Sequence, residues 1–313
     1  MNPKSPISFA VAYTLAIANA LIIGLSFSFV KIAVTLAGPV DTLAFRFVIA
    51  WALCFLFARI KGIRFDWKNA LRLLPMALCY PIGFFLFQGC GMIYAGSGEA
   101  GILAATGPIF TAIIAAMFIR EQYNLIQWFS ILLSVAGVIY IATKTGSSLD
   151  SVAGIVLLLL SAIVGAGYAV LNRTLVRSFS TFEITYYLMT TGAVAFALAS
   201  VVQHAVCVGG TFSTMLIPFA DRSFTAAILY LSIFSSLLTT IFASLALNRL
   251  TSAGLTIFLN LSTVVAVLVG YFFLGEVVYA FHLIGAAMIL AGVIGTNAFA
   301  NAGNQERKNL EKN

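Results

Sequence analysis

Charged residues are scarce in this 313-residue chain. Only 9% of its residues are charged, whereas 61% are hydrophobic. A soluble domain carries about 25% charged residues, so this chain has too few to cover a globular surface. Apolar runs of roughly 18 or more residues recur along it, and each can cross the hydrocarbon layer as a helix. Because these runs do not alternate apolar and polar residues, they are not barrel strands. The composition predicts an all-α membrane protein.

Cysteine and histidine are also scarce, and neither is spaced for chemistry. The four cysteines lie within or at the ends of apolar runs, without metal-ligand spacing or a disulfide framework. The two histidines, His204 and His282, lie near the ends of spans and are expected to be interfacial. The sequence shows neither the buried Ser–His pair nor the two mid-membrane aspartates that intramembrane proteases need. We expect no enzymatic activity, no metal and no cofactor.

Ten apolar spans are predicted, joined by short connections. They cover approximately residues 9–31, 39–60, 71–94, 98–119, 125–143, 152–171, 182–207, 224–248, 253–273 and 279–299. One set of loops holds 13 of the 17 Lys and Arg residues, and the opposite set holds three. Positive residues concentrate in cytoplasmic loops, so both termini are predicted to be cytoplasmic, in a multi-pass protein of the cell membrane. This distribution accounts for the net charge of +7 without nucleic acid; membrane lipid and a small-molecule substrate are the expected partners.

The chain repeats itself. Residues 97–143 align without a gap with residues 252–298, so that Glu121 matches Glu276. Each half has five predicted spans, an odd number, and the second half therefore enters the membrane from the opposite side. Such inverted repeats are a common architecture of transporters, with the substrate site between the halves. We predict two five-helix repeats, over residues 1–146 and 147–300, followed by a cytoplasmic tail over residues 301–313.

Two stretches of the sequence are similar to a known superfamily. The stretch Gly24–Lys31, followed by Pro39 and Arg46-Phe47, resembles the opening of the EamA-type members of the drug/metabolite transporter superfamily. The run from Ser97 to Glu121 resembles their fourth span, which an acidic residue also ends. The resemblance implies a secondary carrier, usually an exporter of amino acids or related metabolites.

A central cavity between the halves is the expected substrate site. Aromatic rings with a few amides and hydroxyls would bury the apolar part of an amphipathic solute and orient its polar ends. The candidate lining residues are Asn19, Ser26, Tyr80, Phe84, Gln88, Thr106, Tyr168, Asn172 and Asn260. Two other interpretations stay open for residues of this kind: helix packing through small residues, and hydroxyls that bond their own helix backbone.

Four charged residues are expected to be structural: Arg46, Glu99, Glu121 and Glu276. Arg46 lies roughly 10 Å into its span and needs a partner or water. An ion pair with Asp41 or Glu99 is the first expectation, and direct contact with substrate is the alternative. Glu121 and Glu276 end equivalent spans at the interfaces, where ionisation costs little.

Two classes of transport protein fit these observations. The first is a carrier that alternates access around a mid-membrane site and exports amino acids or related small metabolites. The second is a passive facilitator or channel for small amphipathic solutes. Saturation of transport and counterflow of labelled cargo separate the two classes.

Overall fold

The computed structural model describes residues 8–62, 66–118, 124–145, 149–175, 179–208, 215–246 and 252–310, and all regular secondary structure in these ranges is helical. The α-helices are α1 (Phe9–Ile60), α2 (Trp67–Ala77), α3 (Phe84–Tyr94), α4 (Ser97–Ala104), α5 (Gly107–Phe118), α6 (Leu125–Thr145), α7 (Leu149–Leu175), α8 (Thr181–Gln203), α9 (Arg222–Leu229), α10 (Thr239–Ala246), α11 (Ser252–Leu274) and α12 (Ala280–Leu310). The all-α class predicted from composition is confirmed.

Long apolar helices dominate the described residues. Seven helical segments are long and apolar enough to cross a membrane: Phe9–Ile60, Trp67–Tyr94, Ser97–Phe118, Leu125–Lys144, Asp150–Asn172, Phe182–Val206 and Arg222–Ala243. Two shorter apolar helices, Asn260–Leu274 and Ala280–Gly295, follow them. The chain is therefore a membrane protein with many spans.

Helix α1 contains the first two predicted spans. Residues 32–37, which were predicted to connect them, are helical. The helix has 52 residues, and at about 1.5 Å per residue it would be far longer than the hydrocarbon layer is thick. Helical geometry breaks at Gly38 (φ 73°, ψ 167°), a conformation that glycine adopts without a Cβ clash. Pro39 follows and cannot donate an N–H to continue the helix. We call residues 9–37 the first arm and residues 39–60 the second arm.

Each arm packs into a different part of the core. The first arm and α4 both approach α11 closely, because a Cβ on Gly24 of the first arm would lie 2.5 Å from Cβ of Val265, and one on Gly101 of α4 would lie 2.5 Å from Cβ of Ala266. Small residues at such crossings let helix backbones pack tightly in lipid. The second arm packs its buried Phe47 against Phe85 of α3 and Phe196 of α8.

Two spans are interrupted by π-helical segments. Leu78–Gly83 joins α2 to α3, and within it Tyr80 has an extended backbone (φ −141°, ψ 117°). Pro81 lacks an N–H donor and Gly83 has no side chain, and both residues weaken an α-helix at this place. In the other half, Tyr230–Leu238 joins α9 to α10. Shorter non-α segments are π-helical His204–Val208 and the 3₁₀-helix Ile217–Ala220.

Two further details differ from the predicted spans. The fourth span is divided, because α4 ends at Ala104 and α5 begins at Gly107. The predicted polar tail is helical as far as Leu310, since α12 continues through residues 301–310. Gln, Glu, Arg and Lys in that stretch have high helix propensity, so a polar sequence there is compatible with a helix.

Candidate functional site

Arg46 of the second arm is the most deeply buried charge among the described residues. Only 1% of the residue is exposed. Its Nε donates to Oγ of Ser236 at 3.0 Å, and its Nη2 donates to Oγ of Ser235 at 3.1 Å. The guanidinium carbon lies 4.1 Å from the centroid of the Phe85 ring. Two hydroxyls and one aromatic face therefore surround the cation. We call Arg46, Tyr80, Phe85, Ser235 and Ser236 the arginine cluster.

The expected ion pair of Arg46 does not form. Among the described residues, no carboxylate lies within ion-pair distance of its guanidinium. Asp41 instead accepts a hydrogen bond from Oγ of Ser200 and lies 2.8 Å from Nε2 of His204. Asp41 and Arg46 are five residues apart, about 1.4 helical turns, so they point to different sides of the second arm. His204, expected at the interface, is thus a buried partner of Asp41.

Three of the predicted lining residues meet beside Arg46. The rings of Tyr80 and Tyr168 stack with centroids 4.6 Å apart, and Phe84 lies 5.5 Å from Tyr80. Phe85 connects this group to the arginine, since its centroid is 5.0 Å from that of Tyr80. Tyr80 and Tyr168 belong to opposite halves of the chain. The aromatic surface therefore lies at the junction of the halves.

The other predicted lining residues divide into two groups. Ser26 and Thr106 donate to the backbone oxygens of Ile23 and Leu103, both at 2.6 Å. They follow the alternative interpretation, in which a hydroxyl bonds its own helix. The remaining four are buried or partly buried, and their membership of the site stays a prediction. They are Asn19, Gln88, Asn172 and Asn260.

Glu276 forms a second charged contact between the halves. Its Oε1 accepts from the backbone N–H of Ser97 at 2.6 Å, and its Oε2 accepts from that of Gly98 at 3.0 Å. These amides begin α4, where the first N–H groups lack helical partners and the helix dipole favours an anion. The structural role of Glu276 stays a prediction, and these two hydrogen bonds are its basis in the structure. Its repeat counterpart Glu121 lies outside the described residues.

Lys31 binds the neighbouring helix end. Its Nζ donates to the backbone oxygens of Met92 at 2.6 Å and of Ala95 at 2.8 Å, at the end of α3. A cation is favourable there because the carbonyl groups of the last turn are unpaired. A cation on the end of α3 and an anion on the start of α4 therefore hold the tight connection between these helices. We call Lys31, Ser97, Gly98 and Glu276 the glutamate clamp.

A cavity of about 220 Å³ adjoins the glutamate clamp. It is lined by Gly96, Gly98, Glu99, Ile102, Val267, Glu276, Val277, Val278 and His282. Its volume is below the roughly 300–1,000 Å³ of typical ligand pockets, and its Glu276 carboxylate is already bound to the start of α4. Within the described ranges, no group of three or more His, Cys, Asp or Glu residues is placed to hold a metal ion. The arginine cluster and its aromatic neighbours are the candidate substrate site because they bring side chains of both halves together.

Sequence reasoning missed the partners of Arg46. Ser236 donates to the backbone oxygen of Leu231 at 2.9 Å while it accepts from Arg46. Phe85 was missed beside its predicted neighbour Phe84. The one available signal was a cation inside an apolar span, which requires some polar partner without identifying it.

Long apolar helices, interrupted spans and a polar, aromatic site between two halves are features of helical membrane transporters. Residues 10–143 and 152–298 each match the EamA-like transporter family. The chain belongs to this family, which confirms the resemblance noted in its opening residues and in its fourth span.

Similar proteins carry related names. An uncharacterized transporter of Bacillus subtilis, YcxC, is 39% identical over 295 residues, which cover 91% of this chain and 92% of the relative. A probable terminal-alkyne amino-acid exporter of Streptantibioticus cattleyicolor is 29% identical over 238 residues, 74% of this chain and 75% of the relative. A crystal structure of another protein aligns with a TM-score of 0.61 and 17% identity, covering 92% of this chain and 98% of that one. At that identity the likeness shows the fold alone.

Proposed function

We propose that the chain is a secondary carrier that exports amino acids or related small metabolites by alternating access between its halves. One observation carries the proposal: the ring of Tyr80 from the first half stacks on the ring of Tyr168 from the second half. Movement of the halves relative to each other changes this surface, as alternating access requires.

The chemistry of the site favours an amphipathic cargo. The rings of Tyr80, Phe84 and Tyr168 offer an apolar surface, while tyrosine hydroxyls and nearby polar side chains orient polar ends. The name of the Streptantibioticus relative supports amino acids as the cargo class and export as the direction. A pseudopaline exporter of Pseudomonas aeruginosa, 28% identical over 191 residues that cover 59% of this chain and 63% of the relative, supports the same direction.

The proposed carrier has ten spans as two inverted repeats, over residues 1–146 and 147–300, in the cell membrane. The break at Gly38 supports two crossings in place of one within α1, and the two shorter apolar helices after residue 252 supply the last two. The excess of Lys and Arg in one set of loops supports cytoplasmic termini. Single cysteines at Lys68 and Ser148 test this topology: a membrane-impermeant reagent should reach the first only from the cytoplasm and the second only from outside.

Metabolite profiling of the medium tests the function. Cells that produce the protein should accumulate specific small metabolites outside, and Tyr168→Ala or Asn260→Ala should reduce that accumulation while the protein stays folded in the membrane. Phe129→Ala is a matched control, because this ring is 65% exposed on the outer surface of α6. Normal export of every metabolite by both site variants would contradict the proposal.

Counterflow in proteoliposomes separates a carrier from a passive facilitator. Labelled cargo should enter vesicles preloaded with unlabelled cargo against its own gradient, and transport should saturate. Entry that follows only the gradient would identify a facilitator.

A further inference from the structure

We propose that Arg46 binds a carboxylate of the cargo, so that the transported metabolites are carboxylic acids or amino acids rather than amines or neutral solutes. This inference rests on the proposed carrier function and deepens it by giving the site a charge preference. Four observations on the arginine cluster support it, and each concerns the surroundings of one guanidinium group.

The first observation is that the charge of Arg46 is not balanced by the fold. The residue is 1% exposed, and its hydrogen-bond partners among the described residues are the neutral hydroxyls of Ser235 and Ser236. Hydroxyl groups satisfy N–H donors but do not neutralise a cation, and taking a charge out of water is costly unless an opposite charge accompanies it. A bound anion supplies that missing charge.

The second observation is which nitrogens remain available. Nε and one N–H of Nη2 are engaged by the two serines. The edge between Nη1 and Nη2 is a different edge of the guanidinium from the one that the serines engage. A carboxylate binds such an edge with both oxygens, through two parallel charge-assisted hydrogen bonds. This edge therefore matches a carboxylate better than a single-atom anion.

The third observation is the orientation of the guanidinium. Its carbon lies 4.1 Å from the centroid of Phe85 and 5.6 Å from that of Phe47. Contact with aromatic faces fixes the plane of the group, which reduces the entropy lost when a ligand binds. Tyr80 and Tyr168 continue the aromatic surface beyond Phe85. A carboxylate on Arg46 thus places the rest of the cargo against rings.

The fourth observation is that the contact crosses between the halves at two interrupted helices. Arg46 lies in the first half, and both serines lie in the π-helical segment Tyr230–Leu238 of the second half. Tyr80 lies in the π-helical segment Leu78–Gly83. Broken helices line the substrate sites of many transporters. Movement of one half against the other therefore changes the surroundings of Arg46 and of a carboxylate bound beside the serines.

A binding experiment on the purified full-length protein in lipid nanodiscs tests the proposal. The probes are matched pairs of a carboxylate and its carboxamide: acetate with acetamide, phenylacetate with phenylacetamide, and L-phenylalanine with L-phenylalaninamide. Binding is measured by the shift in unfolding temperature on titration, at constant pH and chloride. The wild-type protein should bind the carboxylate of at least one pair about tenfold more tightly than its amide.

Substitutions of Arg46 test whether this residue causes the preference for the carboxylate. Arg46→Gln should remove the difference within the preferred pair, while Arg46→Lys, which keeps the charge but lacks the planar fork, should retain part of it. Absence of a preference for the carboxylate in every pair, including absence of any binding, would overturn the proposal, and so would an unchanged preference in Arg46→Gln. If Arg46→Gln does not fold, the wild-type comparison and Arg46→Lys decide.

Metabolite profiling separates this proposal from the carrier function. Exported metabolites that carry carboxylates support both. Export of amines or neutral solutes without a carboxylate leaves the carrier standing and overturns the role of Arg46. If no metabolite is exported and no counterflow occurs, the carrier function itself is contradicted.

Discussion

The arginine cluster and the glutamate clamp both place a charged side chain between the two halves. The fold satisfies the charge of the glutamate clamp but not that of the arginine cluster. Both oxygens of Glu276 accept backbone N–H groups at the start of a helix, a position that favours an anion. Arg46 meets two neutral hydroxyls and an aromatic face. A charge that the fold satisfies stabilises the structure, whereas a charge that it leaves unbalanced is available to a ligand.

The largest expected effect is on transport, in Arg46→Gln. If the cargo carboxylate binds Arg46, loss of its charge-assisted hydrogen bonds should lower transport at least tenfold, which corresponds to about 1.4 kcal/mol of binding free energy or more. The free energy of unfolding should change little, because removal of an unbalanced buried charge avoids its desolvation cost. Initial rates in proteoliposomes and thermal unfolding of the same preparation measure the two effects. Near-normal transport by Arg46→Gln would mean that the arginine cluster, like the glutamate clamp, does not bind the cargo.

The next effect is on stability, in Glu276→Ala. Removing the carboxylate leaves the amides of Ser97 and Gly98 without their partner, which should cost about 2–3 kcal/mol of unfolding free energy. Glu276→Gln, which keeps one acceptor oxygen, should lose less. Denaturant unfolding in detergent measures the loss, and metabolite profiling checks selectivity, which should stay as in the wild type. An altered range of exported metabolites would show that the clamp also contributes to the substrate site.

A smaller loss is expected from Lys31→Gln. The ammonium group binds the last carbonyl oxygens of α3, and such contacts at a helix C-terminus contribute about 0.3–1 kcal/mol near a surface. Gln keeps an N–H donor without the charge, so part of the stabilisation should remain. Thermal unfolding of this variant beside Glu276→Gln compares the two ends of the same connection. A transport defect at normal stability would assign Lys31 to substrate handling instead.

The smallest expected effect is in Ser235→Ala. This change removes one neutral partner of Nη2 and should alter apparent cargo affinity by only about threefold, within the roughly 0.5–1.5 kcal/mol of an ordinary hydrogen bond. Ser232→Ala is the matched control, because the Ser232 hydroxyl donates to the backbone oxygen of Ile228 within its own helix. A loss in Ser235→Ala as large as that in Arg46→Gln would mean that the serine orients the guanidinium for binding.

The depth of a residue along its span could be predicted from the sequence, whereas the side of the helix on which the residue lies could not. Tyr80 and Phe84, predicted near the middle of the third span, meet Tyr168 in the structure, and their lining of a cavity stays a prediction. Asp41 was placed near Arg46 by depth alone, yet it faces Ser200 and His204. In spans that are apolar on all sides, hydrophobic periodicity does not show which side meets which neighbour.

Interruptions of helices were predictable only where proline and glycine mark them. Pro81 and Gly83 indicated the break in the third span, and Leu78–Gly83 is π-helical. The segment Tyr230–Leu238 contains neither residue, and its π-helical backbone brings Ser235 and Ser236 to Arg46 without a signal in the sequence. Such a bulge depends on tertiary contacts rather than on local propensity.

The hydrogen bonds of Glu276 also determine when, during synthesis of the chain, α4 acquires its N-terminal partner. The carboxylate lies 179 residues after Ser97, whose amide it caps. When α4 leaves the ribosome, its first N–H groups have no carboxylate to bind, and water at the membrane edge must serve them until Glu276 is made. The first half therefore reaches its final form only after most of the second half has been inserted. A chain that stops before residue 276 contains α4 but lacks the carboxylate that caps it.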